Sequence, residues 1–271
     1  MFSADAKTDQ RICALMQRVL IVDPQPASAK LLSELLRDIS HCQIWTATDA
    51  QRGLSVAQGA EPHMVFVDHG AGIDGAAFTR ALRRSQLTCR KSPVIMFSTE
   101  ATAAVIIRAR DSGVHEFLRK PYTIKDLMRR LGAVALRTRD WVEGINYIGP
   151  DRRRFNSGDY SGPLKRRVDH AVTPDEARVV QALKIVKAAL AVIESDPHQA
   201  LRSMLAQAED LRASERAKSD MKLRAGAVAL GQMLLTLDPT RMRRAEIEAL
   251  AAPLLACLPV DAAAPIRQPA A

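Results

Sequence analysis

The sequence predicts an α/β fold, a doubly wound five-stranded parallel sheet, followed by a basic linker and an all-α helical bundle. Three observations predict it. Between Gln17 and about Arg137, short apolar runs alternate five times with amphipathic segments, the pattern of βα units and a parallel sheet. Gly, Pro and Arg then crowd Trp141 to Val172 and interrupt regular structure. From Thr173 onward apolar residues recur at helical spacing.

Each element has its own signal. The first strand is Val19 to Val22, and Leu31, Leu32, Leu35 and Leu36 give the next segment, Ala27 to Arg37, a helical stripe. A second strand near Gln43 to Ala47 precedes a helix over Ala50 to Gln58, for which Asp49 is the N-cap. Met64 to Val67 is the third strand, with a helix near Ala76 to Arg84. The fourth strand, Val94 to Phe97, leads into a helix near Ala101 to Asp111, closed by Gly113. After the fifth strand, His115 to Leu118, Thr123 caps a helix carrying Leu127, Leu131 and Val134.

The segment after this domain carries a weak internal repeat. Tyr147-Ile-Gly-Pro-Asp-Arg-Arg-Arg154 resembles Tyr160-Ser-Gly-Pro-Leu-Lys-Arg-Arg167. A largely extended linker is expected. Beyond it, Thr173-Pro174-Asp175-Glu176 combines a capping hydroxyl, a proline at the first helical position and acids at the positive end of the dipole. Val179, Leu183, Val186, Leu190 and Ile193 form one stripe, and Asp196-Pro197 opens a helix with Leu201, Met204, Leu205, Ala208 and Leu211. A third run holds Met221, Ala225, Val228 and Leu235, and Asp238-Pro239-Thr240 starts a shorter helix to about Ala252. The expected division is a tail over 1–16, the α/β domain over 17–138, the linker over 139–172, a helical output or dimerisation domain over 173–258, and a tail over 259–271.

Composition narrows the class. Of 271 residues, 47% are apolar but only 4% aromatic, which favours closely packed helices over a β-sandwich. No apolar run approaches the roughly 20 residues that span a bilayer, so membrane insertion is not expected. The polar N-terminus, with Asp5 and Asp9, argues against a secretory signal. Cys13, Cys42, Cys89 and Cys257 form no C-x-x-C pair and read as reduced thiols of a cytoplasmic protein. The net charge of +9 suits an anionic partner or a solvated basic surface.

The chemistry converges at the strand ends. Asp68 ends the run Met64-Val65-Phe66-Val67, Asp23 ends the first strand, Ser98 ends the fourth, and Lys120-Pro121 follows the fifth. In a doubly wound sheet the carboxyl ends of neighbouring strands meet at one crevice. Two carboxylates, a hydroxyl and an ammonium there suit a phosphoryl group and a hard cation. With Gly113 before the fifth strand, these residues make 17 to about 137 resemble a bacterial two-component response regulator receiver domain, the flavodoxin-like chemotaxis-type module.

The resemblance implies roles residue by residue. Asp68 matches the phosphoacceptor, whose carboxylate attacks phosphorus as a nucleophile. Lys120 neutralises phosphoryl charge, Ser98 is the switch hydroxyl, and Phe117 stands at the switch-aromatic position. Mg²⁺ is the implied cofactor, with Asp23 and Asp68 as ligands. Three departures stand out. Pro24 replaces the family's second acid, removing an oxygen ligand unless a water or Asp74 substitutes. The loop from His69 to Gly75 is one residue short and lacks the usual Met-Pro. Thr99 replaces a small residue beside Asp68.

Three functions remain open from the sequence. The first is a non-enzymatic response regulator. A histidine kinase or phosphotransfer protein phosphorylates it, and it signals through a downstream protein partner or a homodimer of the helical domain. The second is a phosphorylation-independent scaffold. The third is an adaptor using Arg152, Arg153, Arg154, Arg166 and Arg167, with Lys165, to hold a cyclic dinucleotide such as cyclic di-GMP, or nucleic acid. In that segment, Pro150 to His170, six basic residues face three acids, which equally suits a solvated tether. The histidines show no metal spacing, and His198 reads as surface.

Overall fold

The computed structural model describes residues 6–137, 139–152 and 173–259. The chain divides into two compact units, Met1–Val142 with Tyr147–Tyr160, and Glu143–Asn146 with Ser161–Ala271.

In the first unit five parallel strands, β1 (Arg18–Val22), β2 (Gln43–Ala47), β3 (Met64–Asp68), β4 (Val94–Ser98) and β5 (Glu116–Arg119), lie in the order β2-β1-β3-β4-β5. This is the doubly wound order with its switch point between β1 and β3. The central strands are buried along almost their whole length, because helices cover both faces of such a sheet. The side chains alternate accordingly. Val65, Val67, Val94, Met96 and Phe117 enter one core, whereas Ile21, Phe66, Ile95, Phe97 and Leu118 enter the other. Helices α2 (Pro26–Ile39), α3 (Ala50–Ala60), α4 (Gly75–Arg84), α5 (Ala103–Asp111) and α6 (Ile124–Leu136) follow the five strands in turn. Asp49, Asp74, Thr102 and Thr123 cap the last four, each accepting a first-turn amide.

Two segments differ from the sequence reading. Instead of a tail, part of 1–16 forms helix α1 (Ala6–Leu15), which packs on α6 and buries Ile12 and Met16. Among its described side chains, Ile12 is the single buried apolar residue in a helix that also carries Lys7, Asp9 and Arg11, so no stripe was visible. Instead of a wholly extended linker, Trp141–Glu143 (β6) and Ile148–Pro150 (β7) pair as a two-stranded sheet. Most of the remaining linker, 153–172, lies outside the described residues.

A buried arginine holds the end of the first unit farthest from the strand carboxyl ends. Arg83 is 1% exposed and donates to the carbonyls of Gly113 (3.1 and 2.9 Å), Arg90 (2.6 Å) and Ser92 (2.8 Å), with the Trp141 ring 5.2 Å away. Gly113 has φ 91° and lies against the Ile148 carbonyl, where a Cβ would sit only 2.4 Å from that oxygen. His115 is half-buried beside Arg83. Burial first, then the Arg83 and Arg139 charges, keep its imidazole neutral far below the ordinary histidine range.

The second unit is helical: α7 (Pro174–Ala191), α8 (Pro197–Ala213), α9 (Glu215–Ser219), α10 (Met221–Thr236) and α11 (Arg244–Leu255). Thr173 and Glu176 form a reciprocal capping box for α7, and Asp196 caps α8. The α7 stripe and the α8 residues Leu201, Met204, Ala208 and Leu211 are buried as expected. On α10 the buried face is Leu223, Ala227, Leu230 and Leu234, whereas Met221 and Leu235 are 81% and 76% exposed. The run is apolar on nearly every side, so the sequence could not fix which face turned inward. The last helix starts at Arg244, after a 3₁₀ turn at Pro239–Arg241. A polar cluster also lies inside this unit: Gln199 Nε2 donates to Glu143 (3.1 Å), to the Gly144 carbonyl (3.1 Å) and to Ser203 (3.0 Å). No described helix is long and apolar enough to cross a membrane.

The neutral state of His115 sets an acid limit. The unfolded imidazole binds a proton near pH 6.5 and the folded one does not, so this contribution is complete above that pH and is lost as pH falls below it. Urea unfolding of wild type should weaken between about pH 6.5 and 5, by up to ~1.4 kcal/mol per pH unit. His115→Asn should remove that component, leaving a shallower profile.

Candidate functional site

The site is assembled by strand register. Val22 pairs with Val67, so Asp23 and Asp68 leave adjacent strands side by side. Ser98 pairs with Arg119, and the Lys120 amide donates to the Ser98 carbonyl at 2.8 Å. The lysine therefore starts beyond β4 and turns back across the strand ends. Its ammonium donates to Asp68 Oδ1 (2.7 Å), Asp23 Oδ2 (3.0 Å) and Ser28 Oγ (3.1 Å).

The side chains of Lys120, Asp23 and Asp68 are only 19%, 6% and 15% exposed. Burial alone disfavours the ammonium, but hydrogen bonds and charge from Asp68 and Asp23 outweigh it and hold its pKa above the ordinary lysine value. Asp23 is fully engaged: Oδ1 accepts the Gln25 amide (2.8 Å), and Oδ2 accepts the Ser28 hydroxyl (2.7 Å) as well as Lys120. Asp68 Oδ2 accepts no hydrogen bond among the described residues.

Other expected participants stand apart. The Ser98 hydroxyl, 1% exposed, accepts the Glu100 amide at 3.1 Å and makes no hydrogen bond to Asp68. Phe117 is buried in the core beside Val94 and Met96. Thr99 is exposed. Asp74 does not substitute for the missing acid. It caps α4 through the Ala77 amide (3.0 Å) and pairs with Arg108 (2.5 Å). Burial works against its ionisation, but that amide and the Arg108 charge hold its carboxyl below the usual range.

Of the arginine-rich segment, Arg152 is the one described member named as a candidate. Arg152 lies 4.5 Å over the Tyr147 ring and pairs with Asp111 at 3.0 Å, so its guanidinium is committed locally. Arg153, Arg154, Arg166 and Arg167 fall outside the described residues. His198 is exposed, as expected.

Three contributors escaped the sequence reading. Ser28 sits in the first turn of α2, five residues beyond Asp23, inside an Ala-rich stretch that reads only as helix. Tyr122 stacks on Phe97 (centroids 5.0 Å), which stacks on Phe66 (5.7 Å), fixing the segment that carries Lys120. Gly72 lies so close to Pro24 that a Cβ would sit 2.7 Å from the proline Cγ.

The donor set decides the fit to Mg²⁺. A small hard cation asks for near-octahedral oxygen ligation. Here both Asp23 oxygens already accept hydrogen bonds, Oδ2 from an ammonium, Pro24 offers no side-chain ligand, and of the two acids' oxygens only Asp68 Oδ2 accepts no hydrogen bond among the described residues. These residues do not fit a resident Mg²⁺.

A family profile described as the response regulator receiver domain matches residues 19–132. Over 118 residues the chain is 32% identical to the probable chemotaxis protein CheY of Rhizobium etli, covering 43% of this chain and 91% of that protein. The chain belongs to the response regulator receiver family. Its receiver is also 34% identical over 123 residues to the KDP operon transcriptional regulatory protein KdpE of Escherichia coli, covering 45% of this chain and 52% of that protein. The DNA-binding dual master transcriptional regulator RpaA of Synechocystis is 29% identical, with 45% and 51% covered. The chain thus spans about half the length of these two regulators. Among solved structures, Vibrio cholerae chemotaxis protein CheY4 is 26% identical, covering 44% of this chain and 98% of that one, with a TM-score of 0.40. The helical unit lies beyond the matched receiver.

Removing the ammonium leaves two enclosed carboxylates facing each other. Lys120→Met should therefore lower unfolding free energy by about 3 kcal/mol. Adding Asp68→Asn should recover a large part of the loss. Urea midpoints of the single and double variants, compared as a cycle, give the coupling.

Proposed function

We propose that Asp68 is the phosphoacceptor of this receiver domain of two-component response regulators and that a histidine kinase or phosphotransfer protein is the donor. The observation that carries this reading is the 2.7 Å contact between Lys120 and Asp68 Oδ1, which leaves Oδ2 open for attack. Oδ2 forms the new O–P bond as the bond from phosphorus to the donor imidazole breaks, and the electron pair leaves with the imidazole. The product is an acyl phosphate on Asp68, with Lys120 beside the added charge. Positioning and electrostatics dominate such transfers, and the site supplies both.

Output belongs to the helical unit and works by contact, not catalysis. Its support is the second apolar face of α10, where Met221, Ala225 and Leu235 are exposed in line with the half-buried Val228. Such a face suits a partner helix or a second copy. A phosphorylation-independent receiver is the alternative, favoured by Pro24 and the saturated Asp23 carboxylate.

Incubation with acetyl phosphate should add one phosphoryl mass to the intact chain, and Asp68→Ala should abolish the gain. No gain under any condition would leave the phosphorylation-independent alternative. Met221→Glu with Leu235→Glu should reduce an oligomeric mass or release the partner without altering that labelling. Light scattering and labelling on the same samples check both.

A further inference from the structure

We infer that this receiver's acidic pocket is closed to divalent cations, with Lys120 and Ser28 holding Asp23 Oδ2, the Gln25 amide holding Oδ1, and Pro24 offering no ligand beside them. The inference does not rest on Asp68 being phosphorylated.

The contacts around Asp23 form a closed ring. Ser28 donates to Oδ2 at 2.7 Å, Lys120 donates to the same oxygen at 3.0 Å, and Lys120 also donates to Ser28 at 3.1 Å. Oδ1 is held by the Gln25 amide at 2.8 Å. A cation reaching Asp23 must compete with these donors and sit beside an ammonium. That ammonium is already 2.7 Å from the other carboxylate. Like charges at such range repel strongly in a partly enclosed site.

Neither neighbouring position supplies a replacement ligand. Pro24 presents ring carbons, and the loop packs on them: a Cβ on Gly72 would lie 2.7 and 2.9 Å from Pro24 Cγ and Cβ. Gly70 and Ile73 exchange backbone hydrogen bonds at 3.0 and 3.3 Å, which tightens that loop. Asp74, at its end, is committed to the Ala77 amide and Arg108. One ammonium and one hydroxyl therefore do the charge balancing and ordering around the two acids. Ser28 is a positioning residue in this arrangement.

Mn²⁺ prefers the same hard oxygen ligands as Mg²⁺ and has an electron-spin signal when free. Titrations of the full chain compare wild type, Pro24→Asp, Pro24→Asp with Ser28→Ala, and Asp23→Asn. Wild type should show no saturable site. Pro24→Asp should gain one, with apparent affinity at least roughly tenfold above wild type, a difference of about 1.4 kcal/mol. Adding Ser28→Ala should tighten it further by removing one of the two donors on Asp23 Oδ2. A saturable site in wild type that Asp23→Asn abolishes would overturn the inference. So would failure of both Pro24→Asp chains to acquire a site, because Pro24 and Ser28 would then not be what closes the pocket. Loss of acetyl phosphate labelling throughout would remove the phosphoacceptor reading and leave these outcomes standing.

Discussion

Everything at the strand ends depends on one ammonium between two carboxylates. Asp23 and Asp68 leave neighbouring strands in register, and unpaired they repel at close range in a site with little water. Lys120 resolves this from the far side of β4, by hydrogen bonds of 3.0 and 2.7 Å. That reach requires the order β2-β1-β3-β4-β5 and the pairing of Ser98 with Arg119. The pocket is thus a property of the whole sheet. No single loop makes it.

Packing beneath the pocket serves the same end. Phe66, Phe97 and Tyr122 stack in succession, and Tyr122 follows Lys120 by two residues. The lysine backbone is fixed by an aromatic column on one side and by the Ser98 carbonyl on the other. An ammonium on a flexible stem loses much rotamer freedom when held this way, and its short contacts to two acids offset that cost.

Much of the fold was legible because the apolar runs are short, separate and bounded by cappers. Asp49 and Thr123 were readable as helix starts from type and position, and both accept the expected amides. The acid-acid-lysine cluster was legible because strand ends in such a sheet converge. Ser28 was not, since a serine in the first turn of an Ala-rich helix has many uses and its partner lies five residues back. Helix α1 was missed because its buried anchor, Ile12, makes no stripe among Lys7, Asp9 and Arg11. The inward face of α10 was misjudged because an almost wholly apolar run carries no phase. The Gln199 cluster was invisible for a different reason: its partner Glu143 is distant in sequence.

The buried guanidinium of Arg83 carries a consequence for genetics. It ties α4 to the Gly113 turn and to the carbonyls of Arg90 and Ser92, with no carboxylate paired to it among the described residues. Lysine has neither the planar fork nor the donor count to replace it. Lesions there should lower the amount of folded protein while leaving the acidic pocket chemically intact. Alleles at codon 83 would therefore score as signalling-null, and only immunoblot abundance would sort them from alleles at codon 68.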